Sequence, residues 1–304
     1  MKKRAVSSLL ASLAVVSLIL PALATEPLEN EETPALVYVK AEESERGIFL
    51  DGAPQPVEYE IRNGTTYVTV ASFVSVIDPD AVVEEEGGVA TVSSAVIEQV
   101  VDEEGNTANV EQETLSMTVS AGAQYIVANG RYLYAKSGVV VLNDSVAAPV
   151  RTLAKVFNLN VGYDSKTQSI LLSRGETSRA YLQPGDSYYN DDTLFWLSRI
   201  IYAESGNQIL DGKIAVGNVV MNRVESPMFP DNIYDVLNQK NQFSPASTLS
   251  KRTPNSESVL AAKLVMDGAQ VVPNALFFAR AGLSCYASKN RPYVTTIGAH
   301  AFYA

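Results

Sequence analysis

Residues 200–224 read IIYAESGNQILDGKIAVGNVVMNRV, and the reading of this stretch decides the second half of the chain. One carboxylate, Glu204, stands at the end of an apolar run. Gly206 follows it, and a second apolar run begins near Asp211. Working back from Glu204, Ile201, Leu197 and Leu194 recur at spacings of three, four and three, so all four share one face of a helix. A carboxylate that continues a core-facing stripe is unusual, because burying it costs several kcal/mol unless it is satisfied. Held partly out of water beside Ile, Tyr and Trp, such a group suits a general acid working near neutral pH. A plainer reading is a wet charge in a last turn that frays outward. The helix dipole mildly disfavours a glutamate at a C-terminus, so a purely structural role explains Glu204 poorly. The stretch alone leaves both readings open.

The surroundings of this stretch extend the helical pattern. Asp191 and Asp192 read as the cap of the first helix, which opens at Thr193 and Leu194. A second helix is expected from Asp211 to Glu225, with Ile214, Ala215, Val219, Val220 and Val224 on its apolar face, and Pro227 and Pro230 close the region. A helical turn at Asn232–Leu237 leads to the polar loop NQFSPAS (241–247). Pro254 opens a helix over Asn255–Asp267, ended by Gly268. Beyond it come a short strand, NALFFA (274–279), an irregular stretch, and IGAHAFYA (297–304) at the end.

The first half reads differently. From Ala35 onward, short β-branched runs alternate with Gly and Asn-Gly turns, the pattern of strands. Two segments resemble each other, NGTTYVTVASFVSVIDPDAVVE (63–84) and NDSVAAPVRTLAKVFNLNVGYD (143–164). Each has an Asn turn, a strand, a short helix (Ala71–Ile77; Val150–Phe157) and a return strand. The polar segment 173–190, with a Pro184-Gly185 turn, reads as a linker into the second half.

Charge separates the halves further. Residues 25–180 hold 24 acids against 10 bases, whereas residues 181–304 hold 10 of each, a contrast that argues for two bodies. The acidic half repels nucleic acid and no basic stripe occurs elsewhere, so nucleic-acid binding is set aside. At the start, Met1-Lys2-Lys3-Arg4 precedes an apolar run from Leu9 to Leu20 and an A-x-A site at Ala22–Ala24. The run is short for a span of ~20 apolar residues, so a signal peptide over 1–24 is expected, with no membrane span kept after cleavage. An acidic, Pro-containing lead-in covers 25–34.

Cys285 is the chain's one cysteine and His300 its one histidine, so an internal disulfide is excluded and a zinc centre lacks its usual ligands. No metal and no cofactor is expected. A Cys285–His300 nucleophile pair is the thinnest reading, since such a lone pair arises readily by chance.

Two resemblances then sharpen these readings. Asn143, Val146, Pro149, Val150, Arg151, Ala154, Phe157, Val161, Tyr163 and Asp164 follow the pattern of the module named after the N-terminal domain of copper amine oxidase. The copy at 63–84 is much degraded. The resemblance implies a small α/β scaffold for wall or protein contact. It does not imply copper, because no His or Cys occurs between residues 25 and 180.

Residues 194–304 resemble the SleB-like cell-wall hydrolase family, through Leu197, Arg199, Ile201, Ala203, Glu204, Gly206, Gly212, Ala215, Val216, Val219, Asn222, Arg223 and Val224. Further ordered matches are Ser226, Phe229, Pro230, Ile233 and Val236, then Gln242, Phe243 and Ser244. Ala275, Leu276 and Phe278 follow, and Ile297, Gly298, His300 and Phe302 close the set. Ala299 stands where the family often has Asn or Arg, and Asn207-Gln208 where a Gly-Glu pair is common.

This resemblance implies an α+β protein with a lysozyme-like, mainly helical catalytic domain (191–304). A strand-rich accessory domain (35–176) and a linker (177–190) precede it. It also implies that Glu204 is the catalytic acid of an enzyme acting on peptidoglycan glycan strands. The implied reaction is lytic transglycosylation at the bond between N-acetylmuramic acid and N-acetylglucosamine, ending in a 1,6-anhydro sugar. Lysozyme-type hydrolysis is the alternative and needs a second carboxylate at ~5–5.5 Å or ~6.5–9.5 Å. Asp211, Glu225, Asp231 and Asp235 are near in sequence, but none has a spacing that sets it opposite Glu204. A non-catalytic wall-binding protein is a third reading. Gln242, Ser244, Tyr202 and Tyr286 are candidate substrate contacts, with Phe278 as fitted to the core as to a sugar. Asn222, Arg223 and His300 are expected to support the site structurally.

Overall fold

The computed structural model describes residues 46–101, 107–175, 181–240, 243 and 246–304. The expected signal peptide, the acidic lead-in, and the loop residues Gln242 and Ser244 lie outside the described residues.

Asn-Gly and related turns set the first half. β1 (Ile48–Leu50) and β2 (Ala53–Gln55) make one hairpin, and β3 (Tyr59–Arg62) and β4 (Thr65–Thr69) another around Asn63-Gly64. The helix α1 (Val70–Ile77) starts directly from β4 and buries Val70, Phe73, Val74 and Ile77. β5 (Val82–Glu86), β6 (Val89–Val101), β7 (Thr107–Ser120), β8 (Tyr125–Ala128) and β9 (Arg131–Tyr134) pair in that order as an antiparallel sheet. β10 (Val140–Leu142), β11 (Ser145–Pro149), α2 (Val150–Val156), β12 (Leu159–Asp164) and β13 (Ser169–Arg174) then repeat the order of β3 to β6.

The two copies meet through equivalent strands. The sheet order is β10-β11-β4-β3, and Val68 pairs with Ala148, its own counterpart in the repeat. Both inner turns use left-handed backbone, at Asn63 and Gly64 and at Asn143 and Asp144, the geometry two-residue hairpins require. Phe73 meets Phe157 with ring centroids 5.9 Å apart, so the aromatic residues of both copies close one core.

Residues 181–190, polar by composition, are packed onto the first half. Leu182 is buried and donates its N–H to Val156 O at 2.9 Å, and Gly185 donates to Asn129 O at 2.7 Å as α3 (Gly185–Tyr188) begins. The helix α4 (Asp191–Ser205) follows. Its cap is Asn190, whose side chain accepts from Thr193 N at 2.9 Å, and not Asp191 or Asp192. Those two acids occupy the first turn, where their charge suits the positive end of the helix dipole.

The remaining elements are α5 (Leu210–Glu225), α6 (Ile233–Asn238), α7 (Ala246–Leu249), α8 (Ser256–Met266), β14 (Phe277–Arg280), α9 (Tyr286–Asn290), β15 (Tyr293–Ile297) and β16 (His300–Tyr303). Leu197, Ile200 and Ile201 of α4, Ile214 and Val220 of α5 and Ala261 and Leu264 of α8 are fully buried together. Each large aliphatic chain so buried contributes about 1.5–3 kcal/mol. The strands form an antiparallel sheet, β14-β16-β15. The stretch after 279, irregular by sequence, thus holds α9 and β15. A register shift between Tyr293 and Thr295 breaks the alternation that would have marked that strand.

The halves touch through buried charge. Arg131 Nε of β9 donates to Asp267 Oδ1 at 2.9 Å, and Tyr189 OH donates to the other carboxylate oxygen. The Asp267 side chain is fully buried there, and Lys155 Nζ donates to the Asp267 carbonyl. Mixed helix and strand content makes the protein α+β. No helix among the described residues is long and apolar enough to cross a membrane.

Candidate active site

The stripe on α4 does deliver its carboxylate. Leu197 and Ile201 are fully buried, Leu194 is half-buried against the helical core, and Glu204 is half-buried one residue from the helix end. Ser205 is buried and donates its hydroxyl to Ile201 O at 2.8 Å. Gly206 retains right-handed backbone, so its value here is closeness rather than left-handed freedom. A Cβ at 206 would lie 2.6 Å from the Tyr202 carbonyl and 3.0 Å from the Tyr202 ring. Tyr202 therefore folds its ring over the end of the helix.

The loop behind Glu204 is tied down from both sides. Lys213, almost wholly buried on α5, donates from Nζ to Gln208 O and to Glu257 Oε2, the latter at 2.8 Å. The Gln208 side chain in turn accepts the backbone N–H of Ala299 at 2.9 Å. Gly298, at φ +55, leaves room for that oxygen, since a Cβ there would collide with it. The replacement of an acid by Gln208 thus preserves an acceptor, and Ala299 takes part through its backbone.

That turn places His300 at the start of β16. Its ring stands edge-on to Phe278, with centroids 5.4 Å apart, and its half-buried position pushes the imidazole pKa below the usual range. The nearby Glu204 charge acts in the opposite sense, so the two side chains are within electrostatic reach. Among the described residues, buried Nδ1 of His300 has no hydrogen-bond partner.

α5 secures the loop that carries β14. Asn222 Nδ2 donates to Ala275 O at 3.0 Å and to Val272 O at 3.3 Å. Arg223 is buried, donates from Nε to Leu276 O at 2.7 Å, and sits among the rings of Phe229, Phe243 and Phe277. No acid pairs with it among the described residues, and burial lowers its pKa to about 10. Asn218 was not singled out by the sequence. It is fully buried, donates to Ala269 O at 2.7 Å and accepts from Val271 N at 2.9 Å. Its position one turn before Asn222 was the available signal.

The other named residues divide plainly. Tyr286 is 65% exposed at the start of α9, and Cys285 caps that helix by accepting from Ser288 N. Asp211 accepts from Tyr134 OH at 2.7 Å and so turns to β9 of the first half. Asp235 accepts from Asn232 Nδ2 at 2.8 Å. Phe278 stacks with Phe302 and belongs to the core beneath β16.

The arrangement is that of a protein with one half-buried carboxylate at a helix end, backed by a small sheet, beside a scaffold half. Residues 207–303 match the family described as Cell Wall Hydrolase, beginning just after Glu204, and residues 90–172 match the Copper amine oxidase N-terminal domain. Both resemblances read from the sequence are met. The chain is 26% identical to the spore cortex-lytic enzyme of Halalkalibacterium halodurans over 116 residues, 38% of this chain and 35% of that one. It therefore spans about a third of the length of that curated relative. Among solved structures, it is similar to the catalytic domain of the Bacillus cereus SleB protein, at 26% identity over 38% of this chain and 92% of that one, with a TM-score of 0.36. The catalytic domain of the germination-specific lytic transglycosylase SleB from Bacillus anthracis matches at 26% identity over 40% of this chain and 100% of that one, also with a TM-score of 0.36.

Proposed function

We propose that this chain is an exported enzyme that cleaves the glycan strands of peptidoglycan by lytic transglycosylation, with Glu204 as its acid and base. The observation that carries the reading is the half-buried Glu204 at the end of an otherwise apolar stripe, set against a histidine whose pKa burial lowers. Protonated Glu204 gives its proton to the oxygen linking N-acetylmuramic acid to N-acetylglucosamine, and the C1–O bond breaks with oxocarbenium character at C1. Glu204, now a carboxylate, takes the proton of the muramoyl C6 hydroxyl, whose oxygen bonds to C1. The glutamic acid is regenerated, a 1,6-anhydro end is formed, and no water is consumed.

The acids that hydrolysis would recruit are occupied or outward-facing. Asp211 is bonded to Tyr134, Asp235 to Asn232, and Glu225 and Asp231 are exposed. That supports the single-carboxylate route. Tyr202, beside Glu204 on α4, Tyr286 and the loop residues Gln242 and Ser244 are proposed sugar contacts, and the first half a wall-facing module.

Digestion of purified sacculi by the wild type and by Glu204→Gln, with mass analysis of the released ends, tests this. Anhydro ends from the wild type and none from the variant are expected. Equal products from both proteins would remove Glu204 from its role. Ordinary reducing muramic ends would replace transglycosylation with hydrolysis, and no release by either protein would leave a wall-binding protein.

A further inference from the structure

One symmetric place in the repeat is filled differently in its two copies. In the second copy's hairpin, Leu142 pairs with Ser145 and Val141 with Val146 around the Asn143-Asp144 turn. Antiparallel alternation then points Val146 N–H away from β10, and it donates to Glu85 Oε2 at 3.1 Å. In the first copy, Arg62 pairs with Thr65 and Ile61 with Thr66, so Thr66 N–H likewise points away from β3. It faces the place beyond the last β4–β11 pair, Tyr67 with Pro149, where β11 has ended.

Glu85 has no acidic counterpart at that place. Counted back from the turn that closes each return hairpin, Glu85 with Ala90 is the second pair, after Glu86 with Val89, and the second pair in the other copy is Tyr163 with Ile170, after Asp164 with Ser169. Where the first copy presents a carboxylate, the second presents a phenol ring that is 55% exposed. The result is an open cleft of about 630 Å³, lined by Thr66, Tyr163, Arg46 and Arg151 among others. Arg151 replaces Ala71 of the first copy, and Arg151 NH1 donates to Val161 O at 3.1 Å. Neither arginine has an ion-pair partner among the described residues, and no acid lines the cleft. Two cations so placed stand out in a half of the chain rich in acids.

We propose that this cleft binds the carboxylate of a small exogenous ligand, which takes at Thr66 the place that the protein's own Glu85 takes at Val146. The two guanidinium groups supply charge-assisted contacts, and the Tyr163 ring packs against the part of the ligand that carries the carboxylate. This site is separate from Glu204 and does not depend on the catalytic reading. In a wall, such a carboxylate is presented either by a peptide end or by the lactyl group of a muramic acid that carries no peptide.

Calorimetric titration of the mature chain tests the proposal with N-acetyl-alanyl-alanine, its C-terminal amide, N-acetylmuramic acid and inorganic phosphate. At least one free acid is expected to bind about tenfold or more tighter than the amide, a difference of about 1.4 kcal/mol. Which acid binds tighter identifies the source. The Arg46→Ala/Arg151→Ala double variant is expected to lose at least about tenfold in affinity. Tyr163→Glu, which restores a built-in carboxylate, is expected to block binding while unfolding at a temperature no lower than the wild type. Equal affinity for acid and amide, phosphate binding as tight as the acids, unchanged affinity in either variant, or no saturable binding of either acid would each overturn it.

Discussion

Gln208 accepts the backbone N–H of Ala299 at 2.9 Å, and this single bond joins the loop behind Glu204 to the turn that presents His300. The residues lie 91 positions apart, at opposite ends of the helical half. The bond holds the candidate acid and its histidine neighbour in one frame.

Removing the acceptor should loosen that frame more than it weakens the fold. Gln208→Ala is expected to cost about 0.5–1.5 kcal/mol in stability, as for one exposed hydrogen bond. Release of muropeptides should fall about tenfold or more, since small misplacement of a reacting group is costly. Gln208→Glu keeps an acceptor and should retain most activity. Equal losses in both variants would show that the bond does not position the site.

His300 gives the stability curve a defined slope. Burial lowers its folded pKa, against the opposing Glu204 charge, while Phe278 and Phe302 pack around the ring. Between that lowered value and about 6.5 the unfolded chain binds more protons than the native state. This contribution is therefore present in full above about pH 6.5 and is lost as pH falls below it. His300→Gln should flatten that part of the curve, read from urea midpoints at a series of pH values. Parallel curves for the two proteins would assign the slope to another group.

Asn218 anchors the segment leading into β14 through three backbone groups, Ala269 O, Val271 N and Val272 N. Asn218→Ala leaves these groups buried without partners and is expected to cost about 2–4 kcal/mol. A cost below about 1 kcal/mol in urea unfolding would mean that the segment is held by its other contacts.

Asp267 links the two halves through Arg131 and Lys155. Asp267→Asn leaves Arg131, with a side chain only 6% exposed, short of its compensating charge. A loss of about 3–5 kcal/mol is expected, with the single calorimetric transition expected of the wild type broadening or dividing. A sharp transition at the wild-type temperature would show that apolar packing alone joins the halves.

Much of the secondary structure was legible because it is fixed by local spacing. The stripe on α4, the helices around 211–225 and 256–266 and the short helices of the repeat follow from apolar periodicity and Asn or Gly punctuation. Glu204 stood out because it continued that periodicity with a charge. Three features were not legible. Asn190 displaced two aspartates as the cap, because only its side chain reaches Thr193 N. The register shift in β15 concealed a strand. The setting of Arg223, among three phenylalanine rings and a carbonyl, is built by residues distant in sequence.

The sequence by itself determined the two halves of unlike charge, the repeat, and the one odd carboxylate, since each is a property of neighbouring residues. The tertiary structure decided which distant groups meet. It paired Val68 with its own counterpart Ala148, brought Asp267 to Arg131, and set Gln208 against Ala299. No local pattern encodes such meetings. They arise when buried faces pack and each polar group taken from water must find a partner wherever the chain has put one.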